Sequence, residues 1–314
     1  MRMRCPSLTE LPSPPHDKTG WPWTEETPPL PDTMPDGRPW PRISIVTPSY
    51  NQVEFIEETI RSVLLQGYPD IEYIIIDGGS TDGSVEIIKK YERWLAYWVS
   101  EPDRGQAHAI NKGLKQATGE ILNWLCSDDI LLPRALEKVA EKFVEHPRAG
   151  AWAGGAYRIS SEGRMLDVNF PKDITLEGIA DWERNHLPQS SCFFSRKAWE
   201  IAGPLDEELH YSMDFDLWVK IAKHLKFVKI EEVISSARIH ADTKTQSNLA
   251  KMFAERCLVW SRHGYEEKMR EAIVQRLRDY KEISRKLILL EQVASHPLLR
   301  PFKPLFRFIW KKLL

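Results

Sequence analysis

Blocks of apolar and polar residues alternate along the middle of the chain, and their spacing predicts strands and helices in turn. Four apolar runs predict buried strands: ISIVT at 43–47, EYIII at 72–76, AYWVS at 96–100 and ILNWL at 121–125. Between them, helical spacing of apolar residues predicts helices over about 51–67, 84–91 and 106–116. This alternation predicts an α/β fold, with a mostly parallel sheet and helices on both of its faces.

The first predicted helix is expected to begin at Asn51, because Glu54 follows three residues later and the two would form a capping box. Before this region, residues 1–41 hold 11 of the 22 prolines, which excludes a regular helix or a central strand. We interpret residues 1–41 as an arm. Its tryptophans at 21, 23 and 40 favour packing across the globular body over a solvated tail.

Composition and charge narrow the classes of function. A formal net charge of −2 gives no overall basic field, so nucleic acid is not an expected partner. The four cysteines are scattered without the paired spacing of a metal site, which favours a reducing compartment, the cytoplasm. No apolar run reaches the roughly 18 residues of a membrane span, and residues 1–10 lack the apolar core of a signal peptide.

The carboxyl-terminal part is expected to be a helical extension, residues 246–314, behind a main domain of residues 42–245. Its last 18 residues, 297–314, combine an apolar stripe with five basic side chains and no acid. That pattern predicts weak peripheral contact with the inner face of the plasma membrane. The alternative is that the same stripe packs against the protein itself.

Polar clusters follow the predicted strands, at the edge where an open α/β sheet binds its ligands. They are residues 47–51 (TPSYN), 77–80 (DGGS), 101–105 (EPDRG) and 127–129 (SDD). Adjacent carboxylates are unfavourable without a neighbouring positive charge, so Asp128 and Asp129 suggest Mg²⁺ or Mn²⁺ with a nucleotide diphosphate. The alternatives are a helix cap near Pro133 for the acid pair and ordinary turn chemistry for DGGS.

Three further polar residues have two interpretations each. Asp214 and Asp216 fall in the first turn of a helix predicted over 211–224, where they either complement the helix dipole or supply a general base. His240 is either a packed histidine or, beside an acidic metal site, a ligand.

The motifs PRISIVTPSYN, IDGGSTDG, EPDRGQAHAINKG, SDD and MDFDLW occur in this order over residues 41–245. The ordered set resembles the family 2 glycosyltransferases of the GT-A fold, which has a Rossmann-like sheet flanked by helices. The resemblance implies a UDP-, GDP- or dTDP-linked sugar donor, bound by Thr47, Pro48, Tyr50, Asn51, Asp77, Gly79, Arg104, Asn111, Lys112, Ser127 and Asp129. It also implies metal ligation by Asp128 and His240, and a catalytic base at Asp214. Acceptor contacts are expected at Gln189 and Ser190, where a packing role is the alternative.

Three positions depart from the family pattern. Cys126 stands where the first acid of the metal motif often stands, and Met213 replaces a glutamate before Asp214. Gly78 replaces an aspartate that often contacts uracil, so the base of the donor stays open.

The resemblance implies inverting, metal-dependent transfer of a single sugar to a sugar or lipid-linked acceptor, in the synthesis of a surface polysaccharide or glycoconjugate. A nucleotidyltransferase is one alternative, although TPSYNQ lacks the glycine-rich basic loop that such enzymes use. A noncatalytic sugar-nucleotide-binding scaffold is another, because two acidic motif positions are missing.

Overall fold

The computed structural model describes residues 3–240 and 248–295. The chain divides into two compact units, Met1–Val259 and Trp260–Leu314. The strands are β1 Ile43–Ser49, β2 Ile71–Asp77, β3 Tyr97–Ser100, β4 Ile121–Trp124, β5 Ile130–Leu131, β6 Ala151–Ser160, β7 Met165–Asn169, β8 Cys192–Ser195 and β9 Phe227–Ile239. The helices are α1 Ile56–Leu64, α2 Ser84–Tyr91, α3 Gln106–Gln116, α4 Ala135–Glu145, α5 Leu176–Ala180, α6 Arg196–Ala202, α7 Met213–Ala222, α8 Leu249–His263 and α9 Glu266–Ser295.

A single mixed sheet organises the first unit. Its strand order is β3-β2-β1-β4-β8-β6-β9-β5, with β7 beside β6. Strands β3, β2, β1 and β4 are mutually parallel, as are β6 and β9, while β8 is antiparallel to both of its neighbours. The predicted α/β fold with a mostly parallel sheet is therefore confirmed. Ser49, Asp77 and Ser100 lie side by side in register, so the carboxyl ends of these strands share one edge.

The start of α1 was predicted wrongly. The helix begins at Ile56, because Asn51 has a φ of 51°, in the left-handed region, and therefore cannot cap a helix. Its side-chain Oδ1 instead accepts a hydrogen bond from the backbone N–H of Thr81, 3.0 Å away. Asn51 thus joins the β1 loop to the β2 loop, a long-range pairing that the local capping pattern does not reveal.

The N-terminal arm packs on the domain, as its tryptophans suggested. Cys5, Leu11, Met34 and Trp40 are buried in the main hydrophobic core. Arg61 on α1 is fully buried and holds the arm through its guanidinium group. The group donates to the backbone carbonyls of Pro12, Pro22 and Trp23 at 2.9–3.0 Å, and to the hydroxyl of Tyr91 at 3.2 Å.

We expect Arg61→Leu to lower the free energy of unfolding by about 3–5 kcal/mol, because three buried carbonyls lose their charged donor. Urea unfolding followed by circular dichroism measures this change. Arg148→Met, at an exposed arginine, is the matched control and should change stability by less than about 0.5 kcal/mol. Equal stabilities for the two variants would show that Arg61 does not anchor the arm.

Within the described residues, the helical extension predicted over residues 246–314 contains α8 and α9, with Gly264 between them at a φ of 81°. In the part of the chain that the structure describes, no helix has the length and apolar content needed to cross a membrane. The expected membrane-contacting segment, residues 297–314, lies outside the described residues.

Candidate active site at the carboxyl edge of the sheet

Asp77 orders the loop that follows β2. Its carboxylate is fully buried and accepts four hydrogen bonds, from the backbone N–H groups of Gly79 and Ser80 and from the hydroxyls of Ser80 and Ser100, at 2.6–3.1 Å. Gly79 turns the chain with a φ of 84°. Both oxygens of Asp77 are therefore already engaged in shaping the loop.

The residues predicted after β1 differ in their exposure. Thr47 and Pro48 are buried inside the strand, and the hydroxyl of Thr47 lies 3.0 Å from that of Tyr73. Tyr50 is 62% exposed at the strand's end, beside the loop that Asn51 holds. The structure thus brings Tyr50, Asn51 and Gly79 together at the edge, whereas Thr47 lies within the sheet.

Arg104, Asn111 and Lys112 line a cavity of ≈ 610 Å³ beside α3. Arg104 pairs with Glu207 at 2.6 Å, and Lys112 pairs with Glu101. The side-chain amide of Asn111 exchanges hydrogen bonds of 2.9 Å with the backbone of Leu205. The cavity is also lined by His108, Lys115, Trp199, Glu200, Gly203, Pro204 and Glu207. The three residues, which the resemblance assigns to binding of the sugar donor, therefore line the same cavity.

The acid pair after β4 lies beside His240. The Nε2 atom of His240 is 3.1 Å from Oδ2 of Asp128, and Oδ1 of Asp129 accepts the backbone N–H of Arg238 at 3.0 Å. Burial and the neighbouring charge of Asp128 raise the pKa of Asp129 well above its usual value. The helix-cap alternative is wrong, because α4 begins at Ala135 without a side-chain cap.

This donor set fits a hard divalent cation. Ligand atoms of Cys126, Asp128 and Asp129 all lie within 4.8 Å of one another, with the His240 imidazole adjacent. Carboxylate oxygens suit Mg²⁺ and Mn²⁺, and imidazole is an accepted ligand of Mn²⁺, whereas a thiolate is softer than either ion prefers. A cation would also favour the ionised form of the Asp129 carboxyl group.

Arg238 supports this cluster and was not identified from the sequence. It is 3% exposed, its Nε donates to the Asp128 carbonyl at 3.0 Å, and it pairs with Glu58 at 2.8 Å. The local signal was its position two residues before His240, since alternate residues of an extended chain face the same side. Its partner on α1 could not be inferred from that spacing.

The two acids of α7 have different environments. Asp216 is 2% exposed and forms an ion pair of 2.6 Å with Lys220, one helical turn away. Asp214 forms no ion pair with any residue that the structure describes, and its Oδ1 accepts only the N–H of Phe215, at 2.8 Å. Burial raises the pKa of Asp214 to about 6, while the nearby charge of Arg256 acts to lower it.

Helix α8 supplies two residues that sequence reasoning missed. The Glu255 carboxylate accepts the backbone N–H groups of His210, Tyr211 and Ser212 at 2.7–3.0 Å, which caps the start of α7 from outside. Arg256 pairs with Glu183 at 2.6 Å. No sequence signal connects α8 with α7, because the contact is purely tertiary.

The two predicted acceptor residues, Gln189 and Ser190, have different surroundings. Gln189 donates to the carbonyl of Trp124 at 2.6 Å and accepts from the Cys126 thiol at 3.8 Å. Ser190 is 1% exposed, and its hydroxyl lies 2.8 Å from that of Ser235. Ser127, which was predicted to bind the donor, is also buried, at 5% exposed. Gln189 therefore contacts Cys126 of the candidate metal cluster, which consists of Cys126, Asp128 and Asp129. The Ser190 side chain lies in the interior.

Asp214 lies on a helix that packs against the end of β4, the strand that the acid pair follows in sequence. The indole rings of Trp124, at the end of β4, and Trp218, on α7, are stacked 5.5 Å apart. Cys192 is the first residue of β8, which pairs with β4. Burial raises the pKa of its thiol, and the charge of Asp214 raises it further. The candidate metal cluster of Cys126, Asp128 and Asp129 and the carboxyl group of raised pKa are therefore both associated with the end of β4.

Comparisons with known proteins identify relatives of the chain and solved structures that share its fold. Chondroitin synthase of Pasteurella multocida (strain Pm70) is 26% identical over 217 residues, which cover 67% of this chain and 22% of that protein. The chain thus spans about a fifth of that relative. The crystal structure of S. aureus TarS 1–349 in complex with UDP-GlcNAc is 20% identical with a TM-score of 0.56, covering 69% of this chain and 66% of that one.

A second solved structure is the mannosyltransferase PcManGT from Pyrobaculum calidifontis in complex with GDP-Man and Mn²⁺. It is 20% identical with a TM-score of 0.55, and the match covers 88% of this chain and 87% of that one. At this identity the two structures show the fold. The family model for glycosyl transferase family 2 matches residues 44–201, half of the chain. The chain therefore belongs to glycosyl transferase family 2.

Proposed function

We propose that the protein transfers a single sugar from a nucleotide-sugar donor to a hydroxyl acceptor, with inversion at the anomeric carbon. The observation that carries this proposal is the pair of acidic environments at the end of β4. One is a cluster suited to a divalent cation, and the other is the Asp214 carboxyl group, whose pKa is raised to about 6. Such a pair matches a diphosphate leaving group on one side and a proton acceptor on the other.

In this mechanism Asp214 accepts the proton of the acceptor hydroxyl while the oxygen attacks the anomeric carbon. The bond to the departing nucleoside diphosphate breaks on the opposite face, through a transition state with oxocarbenium character. Asp128, Asp129 and His240 would hold the cation, which offsets the charge that develops on the diphosphate. Glu255 holds the start of α7, and so keeps the Asp214 carboxylate in position.

The relatives support the substrate class. The solved structures that share the fold contain UDP-GlcNAc or GDP-Man, and a matched relative is a chondroitin synthase. We therefore propose a nucleotide-sugar donor, an acceptor that is a sugar or lipid-linked glycan, and a role in making a surface polysaccharide.

A donor panel tests the proposal. The protein is incubated with Mn²⁺ and UDP-, GDP- or dTDP-linked sugars, and release of the nucleoside diphosphate is measured with water or a glycan as acceptor. We expect release from at least one donor. Pyrophosphate as the product would instead indicate a nucleotidyltransferase, and tight binding without release would indicate a scaffold.

The pH profile should report the environment of Asp214. A general base works as the carboxylate, so kcat/KM should fall about tenfold per pH unit below pH 6. Arg256→Met removes a positive charge that lowers this pKa, so the acidic limb should move to higher pH. Arg256→Lys, which keeps the charge, should leave the limb in place. An identical limb in all three proteins would exclude Asp214 as the titrating group.

A further inference from the structure

Gly78 leaves a space into which two side chains project. A Cβ built on this residue would lie 2.8 Å from Oδ2 of Asp103 and 3.3 Å from Cδ2 of Tyr50. Unlike Gly79, Gly78 is not in the left-handed region, so its backbone does not require glycine. The absence of a side chain at residue 78 instead provides the volume that the Asp103 carboxylate occupies.

The Asp103 carboxylate is oriented by the loop, with one oxygen left available. Its Oδ1 accepts the backbone N–H of Gly105 at 2.8 Å, which fixes the side chain. Its Oδ2 accepts no hydrogen bond from any residue that the structure describes. Asp77, by contrast, already accepts four hydrogen bonds within its own loop. Asp103 is therefore better placed than Asp77 to accept a hydrogen bond from a ligand.

Ser49, at the end of β1, also belongs to this edge of the sheet. It is 4% exposed at the end of β1, beside Asp77 in the sheet, and its Oγ has no hydrogen-bond partner among the residues that the structure describes. The exposed ring of Tyr50 offers an aromatic face beside Gly78.

We propose that Asp103 reads the nucleobase of the donor, with the Tyr50 ring packed against the base. This inference rests on the proposed function. A carboxylate only accepts hydrogen bonds, so it selects bases that present a ring N–H: uracil and thymine through N3–H, or guanine through N1–H and its amino group. Cytosine and adenine also offer an amino donor on this edge, but their neighbouring ring nitrogen is unprotonated, so its lone pair repels the second carboxylate oxygen. Asp103 thus carries out base selection on a chain that has glycine at residue 78.

Calorimetric titration with UDP, dTDP, GDP, CDP and ADP, each with Mn²⁺, tests this assignment. Wild-type protein should prefer one of the first three nucleotides. Asp103→Ala should weaken binding of that nucleotide about 10- to 100-fold, the usual contribution of a charged hydrogen bond, and should change CDP binding little. Asp103→Asn keeps the shape but can present an N–H donor, so its selectivity should shift towards CDP.

Moving the carboxylate provides a stringent control. Asp103→Gly should lose base selectivity, and Gly78→Asp/Asp103→Gly should regain it, because the second variant supplies an acid from the neighbouring loop. Gly78→Asp alone should weaken all binding, because its Cβ would lie 2.8 Å from Oδ2 of Asp103. A purely structural role for Asp103 predicts equal loss for every nucleotide.

Two outcomes would overturn the inference in different ways. An unchanged ratio of preferred-nucleotide to CDP affinity in Asp103→Ala refutes base reading by Asp103 and leaves the proposed sugar transfer intact. Wild-type protein that binds none of the five nucleotides refutes the proposed function together with the inference.

Discussion

Asp214→Asn should reduce kcat by about 10² to 10⁴, the usual effect of removing a positioned general base. The asparagine side chain has nearly the same shape and can still accept the N–H of Phe215 through its oxygen. It cannot accept a proton from the acceptor hydroxyl. Because the change leaves the strand-end loops untouched, affinity for the nucleoside diphosphate should stay within a few-fold of wild type.

Asp216→Asn is the matched control, two residues further along the same helix. It breaks the buried pair with Lys220, so it should lower stability while each folded molecule keeps most of its turnover. Steady-state kinetics, normalised to the folded fraction from circular dichroism, separates the two effects. If Asp214→Asn keeps wild-type kcat, or if Asp216→Asn loses kcat to the same extent, the assignment of the base is wrong.

The sequence predicted the first four strands of the sheet because their signals are local, whereas β5 to β9 were not predicted. Apolar runs such as EYIII identify parallel strands that are buried on both faces, and β2 lies within one residue of the predicted limits. The carboxyl-edge clusters followed from topology alone, since parallel strands end at the same edge. For the same reason the sequence predicts both Asp77 and Asp128 at this edge.

What the sequence did not reveal depends on contacts between distant segments. Asn51 resembles a helix cap, but its bond to Thr81 across two loops prevails. Glu255 and Arg238 act through partners far away in the chain, and neither residue belongs to a motif. The contact between Asp103 and Gly78 also joins distant segments. Only the folded loops show that the Asp103 carboxylate fills the space beside Gly78.

Asp128→Asn should remove cation-dependent turnover, with a loss of at least about 10² in kcat/KM at any Mn²⁺ concentration. Asparagine keeps an oxygen near His240 but loses the negative charge, and hard divalent cations depend on charged oxygen ligands. Asp129 alone is a poor substitute, because its Oδ1 already accepts the backbone N–H of Arg238. Mn²⁺ titration of the activity, with binding followed by electron paramagnetic resonance, measures both losses.

Cys126→Ser is the matched control within the same cluster. The Cys126 thiol is near the acid pair, but Mg²⁺ and Mn²⁺ have little preference for sulfur, so a serine should change activity by only a few-fold. His240→Gln should have an intermediate effect that is larger with Mn²⁺ than with Mg²⁺, because imidazole suits Mn²⁺ better. If Asp128→Asn retains full activity in excess chelator, transfer does not depend on a cation, and the role of this cluster would be structural.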